Sequence, residues 1–164
     1  HFTLIAGVIL CGFSFSTLAE ERKYKIEAAY LYNFFNYITW PGYSTPQELL
    51  EPVICIYEDD PILPALEYVR NKMSVEREFT IRPLLEESQT TGCHIFFMRH
   101  RISHMATPLS NSTLTVLKPD DPLDRGGMIE LSEEGERIAV KINQSQLERN
   151  GFHVSSRLLD LARR

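Results

Sequence analysis

Positive charge is in deficit in this chain: 17 lysines and arginines stand against 22 acidic residues, a formal net charge of -5. That balance offers no overall attraction to phosphate backbones or anionic membranes, which makes nucleic acid a poor partner. Long apolar runs are missing as well. The stretch from Phe2 to Phe15 is too short and too interrupted for a comfortable membrane span, and no other candidate span follows it. Phosphate-binding signatures are absent. "DRGGM", Asp124 to Met128, has neither G-x-G-x-x-G nor the Lys-Ser/Thr of a P-loop and precedes a strand pattern, so Gly126 and Gly127 read as a turn or bulge. Ser155 and Ser156 lack the G-x-S-x-G elbow of a hydrolase and suit helix capping instead. No internal repeat or low-complexity tract divides the chain. Its 164 residues with 43% hydrophobic content have room for one ordinary core, and one domain is expected.

What is there begins with "HFTLIAGVILCGFSFSTLA", nineteen residues without Lys, Arg, Asp or Glu. It reads as a signal peptide, residues 1-19, although without a basic n-region. Thr17 and Ala19 supply a cleavage site before Glu20, and residues 20-164 form the mature domain. Ile9 and Leu10 do not suit lipid attachment at Cys11. Export removes Cys11 and leaves Cys55 and Cys93, an even pair in an oxidising compartment and so a disulfide candidate.

Hydrophobic periodicity predicts a wide-faced helix over Lys23 to Thr39, with Ile26, Tyr30, Phe34 and Tyr37 on one face and Tyr24, Ala28, Leu31, Phe35 and Ile38 on its neighbour; Pro41 and Gly42 end it. Strands follow at "VICIY" (Val53 to Tyr57), "FTIRP" (Phe79 to Pro83), "CHIFFM" (Cys93 to Met98) and "LTVL" (Leu114 to Leu117). Between them, helices are expected at "ILPALEYVRNKM" and "RHRISHMATPLSN". Such alternation predicts a mostly parallel central sheet covered on both faces, a three-layer α/β sandwich. The last third predicts a β-hairpin, Met128 to Leu131 and Arg137 to Ile142, around an acidic turn at Glu133 to Glu136. Two short C-terminal helices complete the chain, one capped by Asn143 and stopped by Gly151, the other capped by Ser155.

Few residues invite chemistry. Cys93 stands beside His94, but neighbours on a strand point to opposite faces, so this histidine is badly placed to activate this thiol. If the sheet takes the usual order 2-1-3-4, Cys55 and Cys93 lie on adjacent strands within reach of a disulfide. His100 and His104 share an i, i+4 spacing without a third ligand at telling distance, which favours solvated histidines over a metal. Glu58, Asp59 and Asp60 cluster at the carboxyl end of the first strand, a common ligand position in α/β sheets, though a solvated turn also accounts for them. Arg149, His153 and Arg157 form a second candidate ligand set. Among the aromatics of the long helix and its exit, Tyr30, Phe34, Tyr37 and Trp40 either fill the core or meet another chain.

Five stretches in order, "AAYLYNFFNYITWP", "ICIYEDDP", "GCHIFFM", "RGGMIEL" and "INQSQLERNGFHVSSRLLDLA", resemble the YfiR family of bacterial periplasmic proteins across nearly the whole mature chain. The resemblance implies a non-enzymatic regulator without a cofactor, an α/β sandwich that tends to dimerise. It also implies restraint of an inner-membrane diguanylate cyclase through its periplasmic part, lowering cyclic di-GMP and disfavouring biofilm growth. The family's central disulfide matches Cys55 and Cys93, whereas a second, later cysteine pair of the family has no counterpart here. A periplasmic small-ligand sensor acting on a different signalling partner is the alternative.

Overall fold

A computed structural model describes residues 14-73, 76-99, 109-119 and 127-162. Helix α1 (Ser14–Tyr37) leads into a two-residue strand β1 (Ile38–Thr39), followed by β2 (Val53–Tyr57), α2 (Leu63–Met73), β3 (Thr80–Leu84), β4 (Ile95–Met98) and β5 (Leu114–Leu117). Then come the hairpin β6 (Ile129–Glu134) and β7 (Arg137–Ile142), α3 (Gln144–Arg149), the short β8 (His153–Val154) and α4 (Ser156–Ala162).

The six long strands form one sheet in the order β3-β2-β4-β5-β6-β7. All its pairings are parallel except the antiparallel β6/β7 hairpin. The first four strands take the expected 2-1-3-4 order. Physically, the inner runs β2, β4 and β5 are largely buried on both sides, and parallel neighbours can be joined only by crossover connections. At one edge, β3 carries Pro83, an acceptable place for a residue without an N–H.

The main core lies on the face covered by the described helices. Ala28, Leu31, Phe34 and Phe35 of α1, Leu66 of α2, Leu147 of α3 and Leu158 of α4 pack there against Ile54, Ile56, Ile95, Phe97, Val116 and Leu131. The opposite face has a smaller cluster of Cys55, Leu84, Cys93, Phe96, Met98 and Leu117. The helix expected over Arg99 to Asn111 falls mostly outside the described residues. Its last part is a turn, closed by Thr113 N–H donating to the Ser110 carbonyl at 2.9 Å.

Several boundaries differ from the sequence expectation. Helix α1 starts at Ser14, nine residues earlier, because Leu18, Ala19, Glu20 and Glu21 are good helix formers and Lys25 pairs with Glu21 one turn back. It also stops at Tyr37, since Ile38 and Thr39 leave it to pair with Val154 and His153. The third strand begins at Ile95, leaving Cys93 in the turn before it. The hairpin turn shrinks to Gly135 and Glu136, with Gly135 at φ 65° supplying the left-handed residue that a two-residue turn needs, so Glu133 and Glu134 belong to β6.

Local signals explain the rest. The Asn143 side chain accepts from Gln146 N–H at 3.1 Å, and Ser155 Oγ accepts from Leu158 N–H at 3.3 Å, capping the two short helices as expected. Arg77 fastens the loop after α1: its guanidinium donates to the carbonyls of Phe35 at 2.7 Å and Pro46 at 2.8 Å, and also to that of Leu49. Three carbonyls without helical partners are thereby satisfied by one half-buried side chain.

Candidate functional site

Cys55 and Cys93 are joined, with Cα atoms 5.7 Å apart, as the paired cysteines were expected to be. The bond leaves no thiol at Cys93 for nucleophilic chemistry. His94 is occupied structurally: Val53 N–H donates to its Nδ1 at 3.0 Å, so the ring holds its proton on Nε2. Burial, reinforced by the nearby charge of Arg82, keeps the ring's pKa below the ordinary histidine value. Its backbone carbonyl accepts from Trp40 Nε1 at 3.2 Å and from Leu114 N–H at 2.8 Å. This end of the sheet is apolar and covalently closed, and its nearby charge, Arg82, donates to the Thr91 carbonyl at 2.7 Å.

The carboxyl ends of the same strands carry a cluster of six charged side chains brought from five parts of the chain. Arg99, just after β4, holds Asp60 with Nε at 3.1 and 3.2 Å from its two oxygens and Nη2 at 3.0 Å from Oδ1. Lys118, just after β5, lies 3.0 Å from Glu27 of α1 and 2.9 Å from Glu133 of β6. Lys23, one turn before Glu27, reaches Glu133 at 2.8 Å. The Arg99 guanidinium also lies 5.5 Å from the Tyr24 ring centroid and 5.6 Å from that of Phe97.

Glu27 is the centre of this cluster and is 0% exposed. Arg99 comes within 3.8 Å of it, and the 3.0 Å approach of Lys118 lies off the direction of a good hydrogen bond, so neither carboxylate oxygen receives one. Burial raises its pKa above the ordinary glutamate value, outweighing the attraction of Lys118 and Arg99. Glu133 shows the opposite behaviour. Hydrogen bonds from Lys23 and Lys118 bring its pKa down to about 2. Burial disfavours the charge on Lys118, but the bond to Glu133 and the charge of Glu27 outweigh it and raise its pKa.

The expected ligand residues divide among three places. Glu58 and Asp59 are exposed in the turn after β2, and it is their neighbour Asp60 that enters the charge cluster. Tyr37 and Arg157 meet at one corner, where the Arg157 guanidinium lies 6.0 Å from the Tyr37 ring and Ser155 N–H donates to the Tyr37 carbonyl at 2.9 Å; exposed His153 pairs with Thr39 on the short strand alongside. Beside them is a cleft of about 360 Å³ lined by Tyr37, Arg157, Leu158, Asp160 and Leu161. Arg149 sits exposed at the end of α3. Half-buried Tyr30 lines a different groove, with Ile26 and Val140. Phe34 and Trp40, at 0% and 1% exposure, are core residues, which removes them from any contact surface of the folded chain. Trp40 packs edge-on against Phe152 at 5.8 Å between ring centroids. Among the described residues no group of three or more His, Cys, Asp or Glu could hold a metal, and no helix is long and apolar enough to cross a membrane; His100 and His104 lie outside them.

Residues 24-163 match the family described as YfiR/HmsC-like, a span covering the sheet, the disulfide and all of the charge cluster except Lys23. The chain belongs to the YfiR/HmsC-like family. No curated protein matches it. The YfiR/HmsC-like proteins are periplasmic regulators of cyclic di-GMP signalling, a regulatory family without a catalytic role. Within this YfiR/HmsC-like domain, Glu27, Arg99 and Lys118 escaped the sequence reading as members of a site. Their only signals are charges interrupting or directly following apolar runs: Glu27 beside Ile26 and Ala28, Arg99 after "IFFM" and Lys118 after "LTVL".

Proposed function

We propose that this chain is a non-enzymatic periplasmic binding protein that restrains an inner-membrane diguanylate cyclase and so lowers cyclic di-GMP. Membership of the YfiR/HmsC-like family over residues 24-163 is the observation that carries this reading. A bound partner held in its inactive state is a matter of differential affinity, and needs no catalytic group on the restraining protein. The paired cysteines favour the same compartment. The mature protein begins near Glu20, after a signal segment of residues 1-19; the junction falls in an exposed part of α1, whereas buried residues of that helix begin at Glu27. The mature protein acts as a homodimer, with the exposed parts of Tyr30 and Tyr37 contributing to the surface that meets the second copy or the cyclase.

Deleting the gene and measuring cellular cyclic di-GMP tests this reading. A rise reversed by the wild-type chain is expected, and an unchanged level would sink the cyclase-restraint reading.

The Arg157 guanidinium near the Tyr37 ring, both lining a cleft, favours a second reading, a small-ligand sensor acting on a different partner. A ligand selective for the folded state raises the melting temperature. Screening periplasmic metabolites against wild type and Arg157→Ala checks it, and a shift retained in full by the variant argues against this corner.

A further inference from the structure

Glu27 presents a problem in physical chemistry: a carboxylate with no exposed surface, no well-directed hydrogen bond and two neighbouring cations that each have another partner. Arg99 is committed to Asp60 through three contacts of 3.0 to 3.2 Å and stands 3.8 Å from Glu27. Lys118 divides itself between Glu27 and Glu133, and Glu133 has Lys23 besides. Among the described residues, the charged and titratable groups around Glu27 are Lys23 and Tyr24 on its own helix, Asp60 ahead of α2, Arg99 after β4, Lys118 after β5 and Glu133 on β6. If Glu27 becomes neutral, neither cation is orphaned, because Asp60 keeps Arg99 and Glu133 keeps Lys118. The usual reason why losing one member of a buried pair is costly does not apply here.

We propose that Glu27 is a proton-binding switch, taking up a proton as the surroundings acidify and thereby tightening the docking of helix α1 on the carboxyl ends of the sheet. The direction follows from burial. A carboxyl whose pKa is raised in the folded state binds its proton more tightly there than in the unfolded chain. Its contribution to stability is therefore greatest in acid and is lost as pH rises through the folded value. Glu133, with its pKa near 2, stays ionised throughout mild acidification and keeps Lys118 and Lys23 in place. Two carboxylates sharing one lysine thus have different assignments, one to titrate and one to anchor. The effect reaches the surface, because α1 is one wall of a groove in which Glu21, Tyr24 and Lys25 face Pro64 and Tyr68.

The test compares wild type with Glu27→Gln, which fixes the neutral form, by denaturant unfolding at a series of pH values. The variant is expected to be the more stable protein at neutral pH. Its advantage should shrink on acidification, the ratio of the two folding constants changing by up to about tenfold per pH unit inside the titration window. An advantage that stays constant or grows overturns the proposal, since growth is the signature of a carboxylate stabilised by its cations. Should Glu27→Gln fail to fold, carboxyl-carbon NMR of wild type decides: a Glu27 midpoint above those of the exposed glutamates supports the switch, and one at or below them overturns it.

Discussion

The two ends of the parallel sheet are held by opposite means. At the amino ends a disulfide, a neutral imidazole and an indole close the structure with one covalent bond and hydrogen bonds between uncharged groups. At the carboxyl ends, three carboxylates and three cations do the same across five segments. A covalent link adds stability chiefly by constraining the unfolded chain, and is indifferent to pH once formed. A buried charge network is marginal in net stability but responsive, since removing one charge alters the solvation and pairing of all the others. In this YfiR/HmsC-like domain, permanence lies at one end of the strands and responsiveness at the other, where open α/β sheets ordinarily bind ligands.

The contrast can be broken most severely at the covalent end. Replacing both Cys55 and Cys93 by Ala opens a loop of 38 residues, and denaturant unfolding should show a loss of about 4 kcal/mol in the chain-entropy model. At the charged end, Lys118→Met leaves Glu27 buried with only the distant Arg99, and the loss should be about 3 kcal/mol. Adding Glu27→Gln should restore most of that loss, and a double-mutant cycle without coupling would show that the two residues do not act together. Gly127→Ala tests how closely the chain passes β5 before β6: an added Cβ would sit 2.7 Å from the Ile129 carbonyl oxygen and 2.9 Å from Leu117 Cβ. Thermal unfolding should register a cost of about 2 kcal/mol. His94 gives the smallest effect. Its neutral form is favoured by the fold, so its contribution is fully present above the ordinary histidine value of 6.5 and is lost as pH falls below it. In His94→Asn, whose amide oxygen can still accept from Val53 N–H, that part of the acid sensitivity should disappear from the pH dependence of stability.

These ends were not equally legible in the sequence. The strand runs and their order, the hairpin, the two capped helices and the disulfide could be read because apolar periodicity, turn residues and an even cysteine pair are local or countable signals. The charge cluster could not, because Glu27, Asp60, Arg99, Lys118 and Glu133 are brought together only by the crossovers of the sheet. Asp60 could be read only as one of three carboxylates at a strand end, because nothing local tells that it is the one of the three that is buried. Phe34 and Trp40 could be placed on a helix and its exit but not on its inner side, since α1 is apolar on two faces. The β1/β8 pair is too short to leave a periodic trace.

Pro83 has a consequence beyond the boundaries of one molecule. Thr80 N–H donates to Pro52 and the Leu84 carbonyl accepts from Glu58, so Thr80, Arg82 and Leu84 turn their backbone groups toward β2, while Ile81 and Pro83 turn theirs outward. The outward row on β3 therefore lacks a donor where an added strand would need one. A protein concentrated in a confined space is thereby protected on that flank against edge-to-edge growth by a single imino acid.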